Sequence, residues 1–262
     1  GHQYTFAELE DVVHNIACHL QSLGFTKGSN LALCASNCVE IPIMILASWK
    51  LGGMVTVINP LLKPDEVRSH LVGTKPNFIF LDKEHHEKLK KVIQAETVPL
   101  VKEGVEGHRS FASLKDPIQH ELKCFARDVE SEAAIFFSSG TTGSQKAVVL
   151  THRNIVAQLE GIATLVETDM LMMAKWTCNV ICLPLSHVLG LLFSFLNMRI
   201  GATTIIMPRF DPKKYLELNS EFKCELIVLV PPIAVFFVKN RDLVKKYDLS
   251  NIHSIACGAA VL

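Results

Sequence analysis

Between residues 138 and 146 the chain sets serines and threonines, two glycines and one lysine side by side: Ser138-Ser139-Gly140-Thr141-Thr142-Gly143-Ser144-Gln145-Lys146. Short hydroxyl donors on a flexible backbone suit the oxygens of a polyphosphate, and glycine lets main-chain N–H groups converge on one anion. Lys146 adds a full positive charge at the rim. The spacing is not that of a Walker loop, which needs G-x-x-x-x-G-K-[ST] running into a helix. Here Gly140 and Gly143 lie too close together, and Ala147 follows the lysine. The apolar runs on either side, Ala133 to Phe137 and Ala147 to Leu150, read as strands. The loop therefore joins two strands and has no helix N-terminus to lean on. A polar surface hairpin is the alternative reading of the same turn-forming residues. A serine hydrolase built on Ser138 or Ser139 ranks last, because the G-x-S-x-G elbow is absent.

The order of residues around the loop separates these readings. Ser138 to Lys146, followed by Leu150-Thr151-His152-Arg153-Asn154, resembles the signature of the adenylate-forming superfamily, which includes acyl-CoA synthetases, 4-coumarate–CoA ligases and firefly-type luciferases. That signature is close to S-S-G-[ST]-T-G-x-P-K-G, so Gln145 stands where the family usually has Pro and Ala147 where it has Gly. Proline fixes φ and glycine frees it, so both departures imply altered loop rigidity and weaker nucleotide affinity. Further matches run along nearly the whole chain: Tyr4 to Leu9, Leu51 to Pro60, Leu183-Pro184-Leu185-Ser186-His187 as a P-x-x-H segment, Tyr247 to Ile252, and Cys257-Gly258-Ala259-Ala260-Val261-Leu262 near G-[GA]-A-P-L.

The resemblance implies ATP-dependent carboxylate activation: an acyl-adenylate forms first, then a coenzyme A thioester of a fatty or aromatic acid. ATP, Mg2+ and coenzyme A are the expected cofactors and a small carboxylic acid the partner. Ser138, Ser139, Thr141, Thr142 and Lys146, with Gly140 and Gly143, would hold the β and γ phosphates. His187 would sit beside the acyl carboxylate and share catalysis with Lys146. Gly258, Ala259 and Ala260 would line the adenine and acyl walls. The family's later segments, including its C-terminal lid domain, are expected to be missing, which makes this an N-terminal part that binds nucleotide weakly and does not ligate alone. The alternative is a pseudoenzyme that binds nucleotide or acyl-adenylate without turnover.

Composition bounds the rest. Apolar residues make up 49% of the 262 residues and charged residues 20%, enough for a large core without the low hydrophobicity of a disordered chain. Lys plus Arg equal Asp plus Glu at 26 each, so no global field draws nucleic acid or an anionic membrane, and any anion site is local. The eight cysteines lack paired C-x-x-C spacing. Cys34, Cys38, Cys178 and Cys182 lie in apolar patterns and read as buried reduced thiols; a set of Cys178, Cys182 and His187 is a poor metal site because strand faces alternate. With no secretory signal, a reducing intracellular setting is expected, cytoplasmic or peroxisomal. The apolar run from Val188 to Phe195 is too short to span a bilayer.

Alternating periods set the elements that carry the loop. Thr5 and Glu8 form a capping box opening a helix that ends at Gly24. Leu31 to Ala35 reads as a strand, Asn37 with Glu40 as the cap of an apolar helix through Trp49, and Val55 to Ile58 as the next strand. A helix from Pro64 to Val72 is expected to stop at Gly73, followed by a strand at Phe78 to Leu81 and a solvated helix at Lys83 to Gln94. Glu103 to Asp116 reads as a loop in which Phe111 and Leu114 anchor a short turn. Later strands fall near Val180 to Leu183, Ala202 to Met207, Leu226 to Val230 and Ile252 to Cys257, with a helix ended by Gly201 and another started by Asp211-Pro212. His85, His86 and His152 read as surface or capping residues. The fold class is α/β: two doubly wound, mainly parallel sheets flanked by helices, with a first subdomain at 1–175 and part of a second at 176–262.

Overall fold

Thr5 and Glu8 cap the first helix reciprocally: the Thr5 N–H donates to Glu8 Oε2 at 2.7 Å and the Glu8 N–H to Thr5 Oγ1 at 3.2 Å. Helix α1 runs Phe6–Ser22 and buries the stripe from Val13 through Leu20. The computed structural model describes residues 2–123, 125, 128–138, 145–168 and 175–258. The chain divides into two compact units, Gly1–Ile155 and Val156–Leu262.

In the first unit, strand β1 (Asn30–Cys34), helix α2 (Glu40–Lys50) and strand β2 (Met54–Val57) form a parallel βαβ unit. All five residues of β1 are buried, as a strand covered on both faces requires. Helix α3 (Pro64–Thr74), β3 (Phe78–Leu81), α4 (Lys83–Leu89), β4 (Val98–Val101), β5 (Arg109–Ser110) and α5 (Phe111–Leu114) follow. Strands β6 (Glu132–Ser138) and β7 (Lys146–Thr151) complete a seven-stranded sheet in the order β5-β4-β3-β1-β2-β6-β7. Every pair is parallel except β6 with β7. Helix α6 (His152–Glu167) opens at the end of this unit.

In the second unit, β8 (Cys178–Ile181), α7 (Val188–Ile200), β9 (Thr203–Ile206), α8 (Pro212–Glu221), β10 (Leu226–Leu229), α9 (Pro231–Lys239), α10 (Arg241–Val244) and β11 (Ser254–Cys257) build a parallel sheet ordered β11-β10-β8-β9. Gly201, at φ 74°, ends α7 in the left-handed region that glycine tolerates. Asp211 caps α8 by accepting from the Lys214 N–H at 2.8 Å. Beneath α7 a buried amide relay ties three elements: the Trp176 indole N–H donates to Asn197 Oδ1 at 2.8 Å, Asn197 Nδ2 to Asn179 Oδ1 at 3.4 Å, and Asn179 Nδ2 to the Leu226 carbonyl at 2.9 Å.

The α/β class and the mainly parallel sheets are as the sequence implies, while several local expectations change for tertiary reasons. Helix α2 starts at Glu40 behind an uncapped Val39, not behind Asn37. The segment before it is held from another strand, because Asp82 Oδ2 accepts the Ser36 N–H at 2.9 Å. Gly73 does not stop α3. The last turn is tied by Thr74 Oγ1 donating to the His70 carbonyl and by Asn30 Nδ2 donating to the Thr74 carbonyl, so the left-handed C-cap moves to Lys75 at φ 44°. Helix α4 ends at Leu89 and is solvated on one face only: Lys83, Glu84, Glu87 and Lys88 are exposed, while Leu89 and both histidines are buried. His85 Nδ1 lies 2.6 Å from Asp82 Oδ1, and its Nε2 lies 3.1 Å from the Pro60 carbonyl. His85 thus belongs to the helix cap but from inside, which local sequence does not reveal.

Cys18, Cys34, Cys38, Cys178, Cys182 and Cys224 are buried and unbridged. Burial pushes the Cys34 and Cys182 thiols up to about 12, so both stay protonated at neutral pH. Among the described residues no helix is long and apolar enough to cross a membrane.

Candidate functional site

In a parallel sheet the carboxyl ends of the strands face the same way, and ligands of open α/β folds bind there. In the first unit, β6 runs parallel to β2 and delivers Ser138 at its carboxyl end. The loop does join two strands. In the antiparallel register Phe137 pairs with Ala147 and Ser138 with Lys146, and Ser138 Oγ lies 3.4 Å from the Lys146 carbonyl oxygen. A half-buried hydroxyl and an exposed ammonium therefore flank the mouth of the hairpin. Ser139, Gly140, Thr141, Thr142 and Gly143, expected to complete the phosphate grip, lie outside the described residues, as do Ala259 and Ala260.

Two residues beneath this mouth were not singled out by sequence pattern. The buried His70 of α3 stacks on Phe137, with ring centroids 3.5 Å apart and planes 4° from parallel. Phe137 itself packs against a core that includes Val67 and Leu71 of α3. Burial lowers the His70 pKa and outweighs the opposing pull of the Gln145 side chain and of the Glu66 carboxylate, so the ring is neutral at physiological pH. At the end of β3 the Asp82 carboxyl is pushed up by burial, but hydrogen bonds from the His85 ring and from the His85 and Ser36 amides more than reverse this and hold it well below the usual carboxylate range.

In the second unit, the segment after β8 turns sharply into α7. The His187 N–H donates to the Pro184 carbonyl at 3.0 Å, and His187 Nδ1 then accepts from the Leu189 N–H at 3.3 Å as the helix N-cap. With Nδ1 accepting, the neutral ring carries its proton on Nε2. The exposed imidazole thus presents a donor. Gly190 makes this turn feasible, because a Cβ there would lie 2.4 Å from the Pro184 carbonyl oxygen. A glycine inside an apolar helical run was its only signal in the sequence. Gly258 follows β11, donates its N–H to the Leu229 carbonyl at 3.3 Å, and would touch Leu189 at 3.8 Å if it carried a Cβ. His187 and Gly258 are thereby brought to one end of the second sheet, just as Ser138 and Lys146 are brought together in the first unit. Cys178 lies against Cys224, with sulfurs 3.5 Å apart.

A family model described as AMP-binding enzyme matches residues 1–262, the whole chain. The chain belongs to the AMP-binding enzyme family. It is 33% identical over 264 residues to 4-coumarate–CoA ligase 5 of Oryza sativa subsp. japonica, aligning 99% of this chain with 48% of that protein. It is 29% identical over 270 residues to peroxisomal OPC-8:0-CoA ligase 1 of Arabidopsis thaliana, aligning 100% of this chain with 48% of the relative. Among solved structures, a natural red-emitting luciferase from Phrixothrix hirtus superposes with a TM-score of 0.85 at 25% identity, covering 100% of this chain and 51% of that one. A long-chain-fatty-acid–CoA ligase from Archaeoglobus fulgidus shares the fold with a TM-score of 0.85 at 24% identity, covering 98% of this chain and 50% of that one. The chain spans about half the length of the curated relatives it matches.

Proposed function

We propose that this chain is the nucleotide- and acyl-binding part of an ATP-dependent carboxylate-activating enzyme of the acyl-CoA ligase type. The observation that carries the reading is the Ser138–Lys146 stem at the carboxyl end of β6, within a chain matched from end to end by the family. In the proposed reaction a carboxylate oxygen attacks the α-phosphorus of ATP, the bond to the bridging oxygen breaks, and pyrophosphate leaves the acyl-adenylate. The thiol of coenzyme A then attacks the acyl carbonyl and AMP departs. Two anions must meet in the first step, so charge neutralisation and alignment are what the protein has to supply.

Lys146 and Ser138 would hold the β and γ phosphates, with Ser139, Gly140, Thr141, Thr142 and Gly143 completing the grip. His187 would direct its Nε2–H to the substrate carboxylate, and Gly258, Ala259 and Ala260 would leave room for the adenine and acyl groups. Mg2+ accompanies ATP in this reading. Among the described residues no three carboxylate, imidazole or thiolate groups converge to hold a metal ion. The relatives' names point to fatty or aromatic acids as substrates.

Titration calorimetry of the chain with ATP and with an acyl-sulfamoyl-adenosine tests the proposal. Lys146→Ala should weaken ATP binding roughly ten-fold or more, the scale of one lost charge-assisted contact. Equal affinities of wild type and variant would refute the assignment. The departures at Gln145 and Ala147 favour a second reading, a nucleotide-binding protein without turnover; ATP–pyrophosphate exchange driven by carboxylic acids, assayed on the chain continued to its relatives' full length, separates the two.

A further inference from the structure

We propose that Cys178 and Cys224 form a thiol pair that hydroperoxides close to a disulfide and small dithiols reopen, a reversible covalent staple in the second sheet. Their sulfurs lie 3.5 Å apart, with the Cys224 thiol donating to Cys178 Sγ. A disulfide holds its sulfurs at about 2.05 Å, so a shift of about 1.5 Å between two unbranched side chains closes the bond. Both residues are buried and reduced.

The backbones that carry the two thiols are pinned together. Cys178 opens β8, and Cys224 lies in the short entry to β10, the neighbouring strand. Just before Cys178, the Thr177 N–H and hydroxyl both donate to Glu225 Oε2, the hydroxyl at 2.8 Å. Just after it, Asn179 Nδ2 donates to the Leu226 carbonyl at 2.9 Å. Helix α8 gives way to Lys223 in the left-handed region at φ 49°, and the Cys224 N–H returns to the Asn219 carbonyl at 3.0 Å. The sulfurs are thereby kept face to face at the end of the sheet opposite His187 and Gly258. Thr177 beside them is exposed, so the pair sits just beneath the surface. The bond from the Cys224 thiol lowers the Cys178 pKa against the opposing effect of burial, which makes Cys178 the attacking sulfur.

The Cys178 thiolate attacks one peroxide oxygen, the O–O bond breaks, and the departing hydroxide takes up the proton that Cys178 gave up and leaves as water. Cys178 is then a sulfenic acid. The Cys224 sulfur attacks the Cys178 sulfur, the S–O bond breaks, and the hydroxyl leaves as water with the Cys224 proton. The two thiols have lost two electrons and two protons, and one peroxide has become two waters. A dithiol reverses the bond by exchange and is itself oxidised to a disulfide.

Two buried thiols that serve only as small apolar core groups would stay reduced. The test takes the whole chain, freed of reductant and treated with hydrogen peroxide, then alkylates and digests it without reduction for mass spectrometry. The Cys178 and Cys224 peptides should be recovered joined, and dithiothreitol should separate them. Recovery of both cysteines as free thiols, or of Cys178 oxidised without the link, would overturn the proposal. Thermal melts give a second readout. The link joins residues 46 positions apart, so the oxidised chain should melt roughly 5 to 10 °C above the reduced chain, and equal melting temperatures would overturn the staple. Cys224→Ala should stop at the Cys178 sulfenic acid, which dimedone traps, and should lose the rise in Tm on oxidation. A rise of the same size in that variant would assign the effect to another cysteine and overturn the pairing. Both wild-type readouts decide the matter even where the variant does not fold.

Discussion

Gly190→Ala adds one methyl group in the first turn of the apolar helix α7, a change that helix propensity alone favours by about 1 kcal/mol. The structure reverses the sign. The new Cβ would lie 2.4 Å from the Pro184 oxygen, 2.9 Å from the Pro184 carbonyl carbon and 3.0 Å from the Leu183 oxygen. All three contacts are backbone, so no side chain can swing aside. Relief requires α7 to slide away from the Leu183–Pro184 turn, which breaks the His187 cap that this turn sets up. Overpacking of this kind costs about 3 kcal/mol, equivalent to a fall in Tm of roughly 6 to 12 °C in a chain of this size. Thermal melts followed by circular dichroism measure it directly. Gly73→Ala is the matched control, because a Cβ at this helical glycine of α3 meets nothing within 4 Å, and the variant should melt at or above the wild-type temperature. A Gly190→Ala protein melting within a degree of wild type would refute the argument from close approach.

Two further outcomes follow from buried polar groups. Asp82→Asn should destabilise the protein by about 2 kcal/mol at pH 7, because the carboxylate serves as the charged acceptor for His85 and Ser36. The folded pKa of Asp82 is depressed, so its contribution is complete above the unfolded value near about 4 and fades as pH falls through the folded value. Urea titrations of both proteins should therefore converge only in strong acid; a gap that closes already between pH 7 and pH 5 would contradict the assignment. Asn197→Ala strands the Trp176 indole N–H and the Asn179 amide in a buried setting. It should cost about 2 to 4 kcal/mol in the same assay, and a loss under 1 kcal/mol would mean the relay is dispensable.

The candidate site was legible where its chemistry is local. Hydroxyls, glycines and a lysine within nine residues suit either an anion grip or a polar turn, which the order of residues around them separates, and the apolar runs beside them announce two strands. Most of the order of strands and helices was legible for the same reason, since periods of 2 and 3.6 are properties of neighbouring residues. The short strands β4 and β5 at one edge of the first sheet were not, the second falling in a segment that reads as a loop. Element ends were less so. Asn37 and Gly73 carry ordinary cap and stop signals, yet a carboxylate from the end of β3 and an amide from β1 decide where α2 begins and α3 ends.

By itself, then, the amino-acid sequence determined the α/β class, the hairpin's chemical character and the cap-and-turn role of residues such as Thr5, Asp211 and Gly201. Only the tertiary structure decided that His70 would lie under Phe137, that His85 would join Asp82 to Pro60, and that Gly190 would sit against Pro184. Each of these contacts depends on which strands are neighbours and how closely a helix settles on them. That is fixed by packing of the whole unit, and no window of adjacent residues encodes it.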